Sequence, residues 1–476
     1  MSNRWFSAQP NVPGQGLVAA YSARFWGLIV ALGLGTGILA SALMGLLRLS
    51  EHLAYGYRKG PYLDGLQVGP GWRHVVVLLV AAVIVAAGLR GLGRLPAGGG
   101  REVSEALWLR RGRLGFVPSL ARGALSIVTV GMGVSLGREA GPQLAGAATA
   151  SRLADWADLP LWQRRLLVAA GAGSGFAAVY NVPLGGTLLA LEVMLGSLAL
   201  PLVLPVLVTA VIATAVGWIT LGTGPTYHVP SYSFSPSHLL WAALAGPLIG
   251  LAAVAWSWMI AWAHRLRPPA GWPRLAAPVV VFAGLGLLSI PYPQLLGNGK
   301  NVVQLAVVGG MSVGLLAVLC ALKPLATVAC LGSGSPGGLF TPTFTVGVLL
   351  AGVAGAGWSQ LWPGHPLGSY ALIGGGAFLA AAMQGPIAGT VLVLELTRNV
   401  DALMVPTLVA VAEATVVARR LGAQSIYSAR LPRDGQRVGG IASAAALATV
   451  LALDETLPEE ATRTSRLQTR GVSRRG

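Results

Sequence analysis

The stretch Gly133-Val-Ser-Leu-Gly-Arg-Glu-Ala-Gly-Pro142 places one carboxylate, Glu139, between apolar segments long enough to lie in a lipid bilayer. An ionisable side chain at that depth is costly and marks a functional site by default. Gly137 and Gly141 leave the backbone free to turn tightly and to approach a ligand. A helix beginning near Arg138 and Glu139 would direct its unpaired N–H groups and the positive end of its dipole toward whatever precedes it. The stretch therefore predicts an anion site inside the membrane. An ion pair between Arg138 and Glu139 that merely holds a loop is the structural alternative.

The composition of the 476-residue chain is that of a membrane protein, with 54% hydrophobic and 10% charged residues and a mean hydropathy of +0.67. Apolar runs of about 20 residues are long enough to cross the hydrocarbon core as helices. Such runs occupy residues 25–47, 75–92, 200–221, 239–263 and, more weakly, 275–290. Other apolar stretches are interrupted by Gly and Pro, so the helix count stays open between about ten and about eighteen. We predict an all-α, polytopic membrane protein.

The basic residues, which give the chain a net charge of +17, are spread over short loops and a tail instead of being gathered on a polar domain. Positive loops are ordinary membrane topology, so nucleic acid is not an expected partner. Arginines before the first apolar run and after the last predict that both termini face the cytoplasm, with the protein in the cell (inner or plasma) membrane. The predicted organisation is a cytoplasmic segment 1–22, membrane repeats 23–222 and 223–430, and a basic cytoplasmic tail 431–476.

No metal, cofactor, disulfide or enzymatic activity is expected. Cys320 and Cys330 lie in a mostly apolar run, where a cysteine is usually a small hydrophobe. The six histidines include no pair at ligand spacing on one helix. Gly332-Ser-Gly-Ser335 superficially suits an intramembrane serine protease, but the nucleophile needs a membrane-embedded histidine as its base. The best candidate, His264, lies at the end of a span, so this hypothesis is a remote alternative.

An internal repeat divides the chain into two related halves. Pro183-Leu-Gly-Gly-Thr-Leu-Leu-Ala-Leu-Glu192 returns as Pro386-Ile-Ala-Gly-Thr-Val-Leu-Val-Leu-Glu395, and Gly137-Arg-Glu-Ala140 falls opposite Gly338-Leu-Phe-Thr341. In membrane transporters, repeats whose helices are broken by Gly and Pro at corresponding places indicate a binding site between the halves, near the midplane. Irregular backbone at such depth is tolerated where it is buried in protein or lines a cavity. The breaks therefore predict the position of a pathway.

These residues resemble the motifs of the CLC family of chloride channels and chloride/proton antiporters. Gly137-Arg-Glu-Ala-Gly-Pro142 is similar to the family's gating-glutamate motif, and Gly332-Ser-Gly-Ser-Pro-Gly-Gly-Leu-Phe-Thr-Pro342 to its Gly-x-Phe-x-Pro filter segment. Gln424-Ser-Ile-Tyr427 resembles the segment with the filter tyrosine. The resemblance covers residues 25–431 with order and spacing preserved. It implies two inverted-topology repeats with broken, re-entrant helices that meet at a central anion site.

The resemblance also implies roles for single residues. Glu139 would be the gate, whose carboxylate competes with the anion and moves aside when it is protonated. The backbone N–H groups of Leu339 and Phe340 and the hydroxyl of Tyr427 would donate to the anion, with Arg138 also among the anion-binding residues. Such partial dipoles hold a halide without trapping it as a full charge would. The structural alternatives are an interfacial tyrosine at 427 and plain core packing for the ring of Phe340.

The chain departs from the family in its first filter segment. The family's Gly-Ser-Gly-Ile-Pro-Glu falls at Ala97-Gly-Gly-Gly-Arg-Glu102, where Gly98 stands at the serine. Gly98 and Gly99 still offer backbone N–H groups to an anion, but a hydroxyl donor is missing. Glu102 matches the acidic residue that closes the motif.

A second departure concerns proton coupling. The family's antiporters carry a cytoplasmic-side glutamate as proton relay, and Val193 stands at that position, as in members that act as channels. Because valine carries no proton and hydrocarbon supplies no other acceptor, we predict a channel-like, Glu139-gated conductor of chloride or a similar small anion, with weak or no tight proton coupling. The alternative is a chloride/proton antiporter with a non-standard internal relay, for which Glu192 is the candidate. A structural role at a helix end, shared with its repeat counterpart Glu395, is equally open for Glu192.

The partners implied are a small anion such as chloride, protons in the antiporter alternative, the lipid bilayer and a second copy of the chain. The resemblance implies a homodimer with one anion pathway in each subunit. It places the dimer surface on residues 183–221 and 386–408, where polar residues are few.

Overall fold

The computed structural model describes residues 21–56, 60–95, 100, 102–269, 271–398 and 402–431. The predicted terminal segments 1–22 and 431–476 thus lie almost wholly outside the described residues. The described part contains no β-strand, only an isolated antiparallel bridge between Gly137 and Gly338. Its seventeen α-helices are α1 Ala23–Tyr55, α2 Tyr62–Val68, α3 Trp72–Leu92, α4 Val103–Leu109, α5 Phe116–Gly131, α6 Ala140–Trp156, α7 Leu161–Tyr180, α8 Pro183–Leu188, α9 Leu200–Leu221, α10 Pro236–Arg265, α11 Trp272–Leu288, α12 Lys300–Val307, α13 Val313–Gly332, α14 Phe340–Leu361, α15 Leu367–Met383, α16 Pro386–Thr397 and α17 Met404–Arg420.

Six of these helices, α1, α3, α9, α10, α13 and α14, are long and apolar enough to cross a bilayer. The four strong apolar runs of the sequence fall in α1, α3, α9 and α10, and the weak run 275–290 falls mainly in the 17-residue helix α11. A π-helical segment, Leu189–Leu195, continues the short helix α8. The prediction of an all-α polytopic membrane fold is confirmed.

The repeat seen in the sequence returns as two similar sets of helices, α6 to α9 and α14 to α17. Helices α7 and α15 both end at a residue in the left-handed region, Asn181 at φ 57° and Gln384 at φ 59°. A left-handed residue after the last turn is a common way to end a helix. In each set a short helix with proline in its first turn follows, beginning at Pro183 in α8 and at Pro386 in α16.

The two sets run in opposite directions. Asn181, at the end of α7, lines a chamber at one end of the molecule, here the upper end. His264, near the end of α10, lines a chamber at the other, lower end. Helix α10, about 45 Å long, begins beside the start of α15, where His238 Nε2 lies 2.8 Å from Ser369 Oγ. The segment that leads into α10 contacts the end of α7, where the Thr226 hydroxyl donates to Tyr180 O at 2.7 Å. Helix α15 therefore begins at the upper end, where α7 finishes.

Two carboxylates tie the repeats together by crossing from one to the other. Glu192 accepts a hydrogen bond from the N–H of Ala388 at 2.6 Å and a longer one, at 3.3 Å, from the residue before it. Glu395 accepts from the N–H of Gly185 at 2.6 Å and from the residue before it at 3.1 Å. Each carboxylate thus supplies acceptors to the unpaired N–H groups that begin α16 or α8. This placement agrees with the structural interpretation of both residues.

We predict that Glu192→Ala and Glu395→Ala each lower the free energy of unfolding by about 1–2 kcal/mol, the usual cost of losing such a cap. Thermal unfolding in detergent measures the effect. Glu413→Ala is the matched control, because the Oε2 atom of Glu413 on α17 has no hydrogen-bond partner. Equal losses in all three variants would contradict the capping role.

Candidate functional site

The carboxylate of Glu139 lies at the start of a helix of the other repeat. Its Oε1 accepts a hydrogen bond from the N–H of Phe340, the first residue of α14, at 2.7 Å. Its Oε2 accepts from the hydroxyl of Tyr180 at 3.1 Å and lies 3.4 Å from that of Thr341. The Glu139 residue is 1% exposed. The negatively charged carboxylate is therefore bound at the N-terminus of α14, where unpaired N–H groups and the positive end of the helix dipole favour an anion. This position is called the seat below.

A short backbone contact fixes this seat between the repeats. The N–H of Gly137 donates to Gly338 O at 2.7 Å, and the N–H of Gly338 donates to Gly137 O at 2.8 Å. A Cβ atom at either position would overlap the Glu139 carboxyl group. Two glycines are therefore required for the loops before α6 and α14 to meet with the carboxylate beside them. The loops broken by glycine in the sequence meet at one point, as the repeat predicted.

The side chain of Arg138 points away from the carboxylate of Glu139, the next residue in the chain. Its guanidinium lies 4.9 Å from the centre of the Tyr180 ring, over the ring face. No salt bridge joins it to Glu139, so the alternative of a plain ion pair is not what the structure contains. Arg138 and Tyr180 line the upper vestibule, a chamber of about 460 Å³ whose other charged groups are Arg48, Glu51 and Lys300.

Below Glu139 lies a central cavity of about 50 Å³, lined also by Leu339. Six further lining residues carry a buried polar atom that lacks a well-formed hydrogen bond: Ser126 Oγ, Gln143 Nε2, Arg267 Nε, Ser335 Oγ, Tyr427 Oη and Arg430 Nε. Of these, the Gln143 amide and the Tyr427 hydroxyl contact each other. Buried polar atoms are almost always paired, so six such atoms around one cavity indicate a ligand. All six groups can donate a hydrogen, and the amide and guanidinium N–H groups can only donate. The set fits an anion small enough for this cavity.

The lower vestibule, a chamber of about 580 Å³, adjoins the central cavity. The two share five lining residues, which are Glu102, Arg122, Arg267, Gly334 and Arg430. Two glutamates in the lower vestibule, Glu102 and Glu105, face five arginines, Arg110, Arg122, Arg267, Arg274 and Arg430. Glu102 pairs with Arg430 at 2.6 Å. The remaining positive charge attracts anions and raises their local concentration.

The structure brings most of the predicted site residues together. Glu139, Leu339 and Tyr427 line the central cavity, and Phe340 supplies the amide that holds Glu139. Arg138 lies apart from them, in the upper vestibule. Glu192 also lies elsewhere, at the start of α16.

Two predicted residues, Gly98 and Gly99, lie outside the described residues. Their roles as backbone donors to the anion stay predictions. Gly100, the next residue, is described, and its N–H donates to Arg113 O at 2.9 Å. Arg101 is outside the described part as well.

Sequence reasoning did not single out Tyr180, Thr341, Ser126 or Gln143, and it did not name Ser335 among the anion-binding residues. Thr341 stands inside the quoted filter segment, and Tyr180 comes three residues before the repeated Pro183 motif. Position in a motif was the only available signal, because each hydroxyl or amide gains its role from a neighbour far along the chain.

The structure does not bring together the serine and histidine that the protease hypothesis requires. His264 Nδ1 is buried and has no hydrogen-bond partner, and Ser335 Oγ is likewise unpartnered. Ser333 Oγ donates to Cys330 O at 2.7 Å. A nucleophile and its base must lie within hydrogen-bond reach, so these residues do not form a Ser–His pair.

The chain resembles known proteins along most of its length. The family model described as voltage gated chloride channel matches residues 76–419. A putative chloride channel protein, ClcB-like, of Ralstonia nicotianae is 32% identical over 378 residues, 77% of this chain and 87% of that protein. The H(+)/Cl(-) exchange transporter ClcA of Klebsiella pneumoniae is 33% identical over 316 residues, 64% of this chain and 66% of that protein.

A solved structure shares the fold. The crystal structure of a slow cyanobacterial Cl−/H+ antiporter matches with a TM-score of 0.75 at 23% identity, over 88% of this chain and 99% of the other. The predicted architecture of inverted repeats with broken helices is confirmed. The chain therefore belongs to the CLC family, the voltage gated chloride channel family.

Proposed function

We propose that this protein exchanges chloride, or a similar small monovalent anion, for protons across the membrane, with Glu139 as the group that serves both ions. The observation that carries the proposal is the hydrogen bond from the N–H of Phe340 to the Glu139 carboxylate at 2.7 Å. A carboxylate and a halide both accept hydrogen bonds as anions, so they compete for this donor. Binding of one therefore requires release of the other.

Protonation of Glu139 determines whether its carboxyl group or the halide binds at the N–H of Phe340. A neutral carboxyl group loses the charge that α14 attracts at its N-terminus, whereas a halide keeps its charge. Protonated Glu139 therefore leaves the seat more readily than the carboxylate does. Each cycle of release and return binds and frees one proton at the place where the anion passes, which provides a physical link between the two fluxes.

The channel-like hypothesis, which is based on Val193, is less well supported than the antiport hypothesis. Several relatives, including the one from Klebsiella pneumoniae at 33% identity, are named H(+)/Cl(-) exchange transporters. The Ralstonia nicotianae relative is named a putative chloride channel protein. The names of the exchange transporters favour antiport, the alternative that required a non-standard relay.

The internal proton route is proposed to run through the central cavity itself. Glu192 is not well placed as the relay, because both of its carboxylate oxygens accept hydrogen bonds at the start of α16. Glu139, in contrast, lines the central cavity, which shares five residues with the lower vestibule. Water entering from that vestibule would bring protons to Glu139 without a second carboxylate.

The central cavity is proposed as the anion's binding site along the way. Among the described residues, the hydroxyls of Ser126 and Ser335 have no hydrogen-bond partner, and the Tyr427 hydroxyl and the Gln143 amide contact each other without a well-formed hydrogen bond. They would replace part of the anion's hydration shell, which is how selectivity filters hold ions without trapping them. Ser126, Ser335 and Gln143 would also supply side-chain donors that the glycines near Gly98 lack.

We propose the cell membrane as the location and the cytoplasm as the side of the lower vestibule. Its five arginines follow the rule that positive residues face the cytoplasm. Helix α1 ends near the upper vestibule, where Glu51 lies, so it begins at the lower end, and Arg430 lies in the lower vestibule. Both termini are therefore proposed to be cytoplasmic. Terminal tags that antibodies reach on intact cells would contradict this orientation.

We also propose that the protein is a homodimer whose interface is formed by residues 183–221 and 386–408. Apolar side chains are exposed on both stretches, including Leu204 and Val211 on α9 and Ile387 on α16. Large exposed apolar faces bury themselves against lipid or a second subunit. A mass of one subunit in mild detergent, measured by light scattering, would contradict the dimer.

Proton coupling is tested with the purified protein in liposomes. An imposed chloride gradient is expected to drive protons uphill, and Glu139→Gln is expected to abolish proton movement while anion flux continues. Glu192→Gln should keep coupled proton movement, because that residue caps a helix. Rapid chloride flux with no uphill proton movement would instead establish the channel-like hypothesis, and loss of coupling in Glu192→Gln would identify it as the relay.

The central cavity is tested by calorimetric titration with chloride. Ser335→Ala and Tyr427→Phe should each weaken binding about tenfold, because a hydrogen bond to a charged group contributes about 1.5–3 kcal/mol. Ser257→Ala is the matched control, since it also removes a buried hydroxyl without a partner but lies on α10 outside the cavity. Affinities in the two cavity variants that equal that of the control would refute the assignment.

A further inference from the structure

The lower vestibule carries an excess of positive charge, with five arginines facing two glutamates. A field that steers anions toward a pathway explains such an excess at its mouth. Steering does not explain donors that are buried and unpaired, because such donors cost free energy unless an acceptor meets them. The hydrogen bonding of these basic groups therefore distinguishes a steering field from a binding site.

Three residues of this chamber carry a buried nitrogen atom without a hydrogen-bond partner. They are Arg267 and Arg430, each at Nε, and His264 at Nδ1. Arg430 pairs with Glu102 through Nη2 at 2.6 Å, which leaves its Nε–H unused. An arginine Nε–H can only donate a hydrogen bond. Buried polar atoms are almost always paired, so these three atoms indicate a ligand that is rich in acceptors.

The positive charges around Arg267 are crowded. Burial lowers the pKa of the Arg267 guanidinium to about 10. The charges of Arg122, Arg274 and Arg430 act on this pKa in the same direction. The Glu102 carboxylate opposes them. Arg267 is still charged at neutral pH, so the repulsion is present in the folded protein, and an anion of high charge would relieve it.

We propose that the lower vestibule binds a multivalent, phosphate-bearing anion, held by the guanidinium groups of Arg267, Arg274 and Arg430, and that this anion closes the pathway while it is bound. Guanidinium groups bind phosphate oxygens through paired N–H groups in a planar fork. The chamber of about 580 Å³ has the volume of a small-molecule site, about 300–1,000 Å³.

The bound anion would close the pathway because two of the arginines that hold it belong to both compartments. Arg267 and Arg430 line the central cavity as well as the lower vestibule. An anion held there stands between the two. It would not continue inward, because a multiply charged group is more costly to desolvate than a halide, and the central cavity has a volume of only about 50 Å³.

Two sources carry this chemistry, a soluble phosphate compound and the head group of an anionic lipid. Basic pockets on the cytoplasmic side of membrane proteins bind lipid head groups. The lower vestibule lies on the side that is proposed to be cytoplasmic, where soluble phosphate compounds are present too. The flux measurement described below therefore has one arm for each source.

Binding is tested by calorimetric titration of the purified protein in detergent with inorganic pyrophosphate, at an ionic strength held constant with sodium gluconate. Saturable binding is expected for the wild type. Arg267→Gln should weaken it about tenfold or more, because hydrogen bonds between charged groups are strong. Arg267→Lys should weaken it several-fold, because lysine keeps the charge but lacks the Nε donor and the planar fork. A steering field alone would not distinguish lysine from arginine.

Arg48→Gln is the matched control. It also removes one arginine charge, but Arg48 lines the upper vestibule, at the other end of the molecule. Its affinity for pyrophosphate should equal that of the wild type. Size-exclusion chromatography verifies folding. If the Arg267 variants are misfolded, Arg274→Gln decides the proposal by a several-fold loss of affinity, since Arg274 is an exposed residue of the lower vestibule.

Closure of the pathway is tested by chloride flux in phosphatidylcholine liposomes with pyrophosphate on both faces. Each variant is compared with its own flux without pyrophosphate. Flux through the wild type is expected to fall as pyrophosphate saturates the site, and Arg267→Gln should need about tenfold more pyrophosphate for the same effect.

A second set of liposomes contains phosphatidic acid and no pyrophosphate. A lower flux than in phosphatidylcholine, with a loss that Arg267→Gln removes and Arg48→Gln keeps, assigns the site to a lipid head group. A flux equal to that in phosphatidylcholine assigns it to a soluble phosphate compound.

Saturable binding that Arg267→Lys weakens, together with slower chloride flux, supports the proposal. No saturable binding of pyrophosphate, or equal affinities in the wild type and Arg267→Lys, would overturn the site and leave a steering field. Binding without any effect on flux would overturn the closure of the pathway. None of these outcomes depends on proton coupling, which is tested separately with Glu139→Gln.

Discussion

A carboxylate buried in the interior of a membrane protein must be met by donors, and Glu139 finds its main donor on the other repeat. The N–H of Phe340 reaches it at 2.7 Å. A charge in such surroundings is costly unless it is hydrogen-bonded. A backbone donor is held in place by the fold, whereas a mobile side chain would lose conformational entropy on reaching the same position. The reciprocal hydrogen bonds between Gly137 and Gly338 provide that fixed backbone.

The same requirement explains how the repeats are joined elsewhere. Glu192 and Glu395 each cap a helix of the opposite repeat, with their shortest hydrogen bonds both at 2.6 Å. In each case a negative group meets unpaired N–H groups at a helix start. Glu139, in addition, adjoins a cavity lined by unpartnered donors such as the hydroxyls of Ser126 and Ser335. The chemistry of the contact is thus shared by all three glutamates, and its surroundings distinguish Glu139, the proposed gate, from the two glutamates that cap helices.

The amino-acid sequence predicts what depends on local pattern. The long apolar runs predicted the positions of helices α1, α3, α9 and α10. The glycine-rich motifs identified Glu139 and Phe340 as site residues. It does not predict contacts chosen by tertiary packing. Glu192 was equally compatible with a relay and a cap, because its acceptor role depends on where α16 begins in space.

Side chains with two functions were the hardest to foresee. The ring of Tyr180 is suited to packing, and the role of its hydroxyl depends on its hydrogen bond to Glu139, 41 positions earlier in the chain. Ser126 and Gln143 lie on α5 and α6, where a buried polar residue is commonly satisfied by its own helix. Their buried polar atoms become informative once the cavity that both residues line is known.

The central claim, that Glu139 and the transported anion occupy one seat, is tested most directly by anomalous diffraction from crystals grown in bromide. In Glu139→Ala the carboxylate is gone, and a bromide ion is expected within hydrogen-bond distance of the Phe340 amide nitrogen. In the wild type at neutral pH the same position is expected to hold the carboxylate without bromide. Bromide bound in the variant's central cavity but absent from the Phe340 amide would contradict the shared seat.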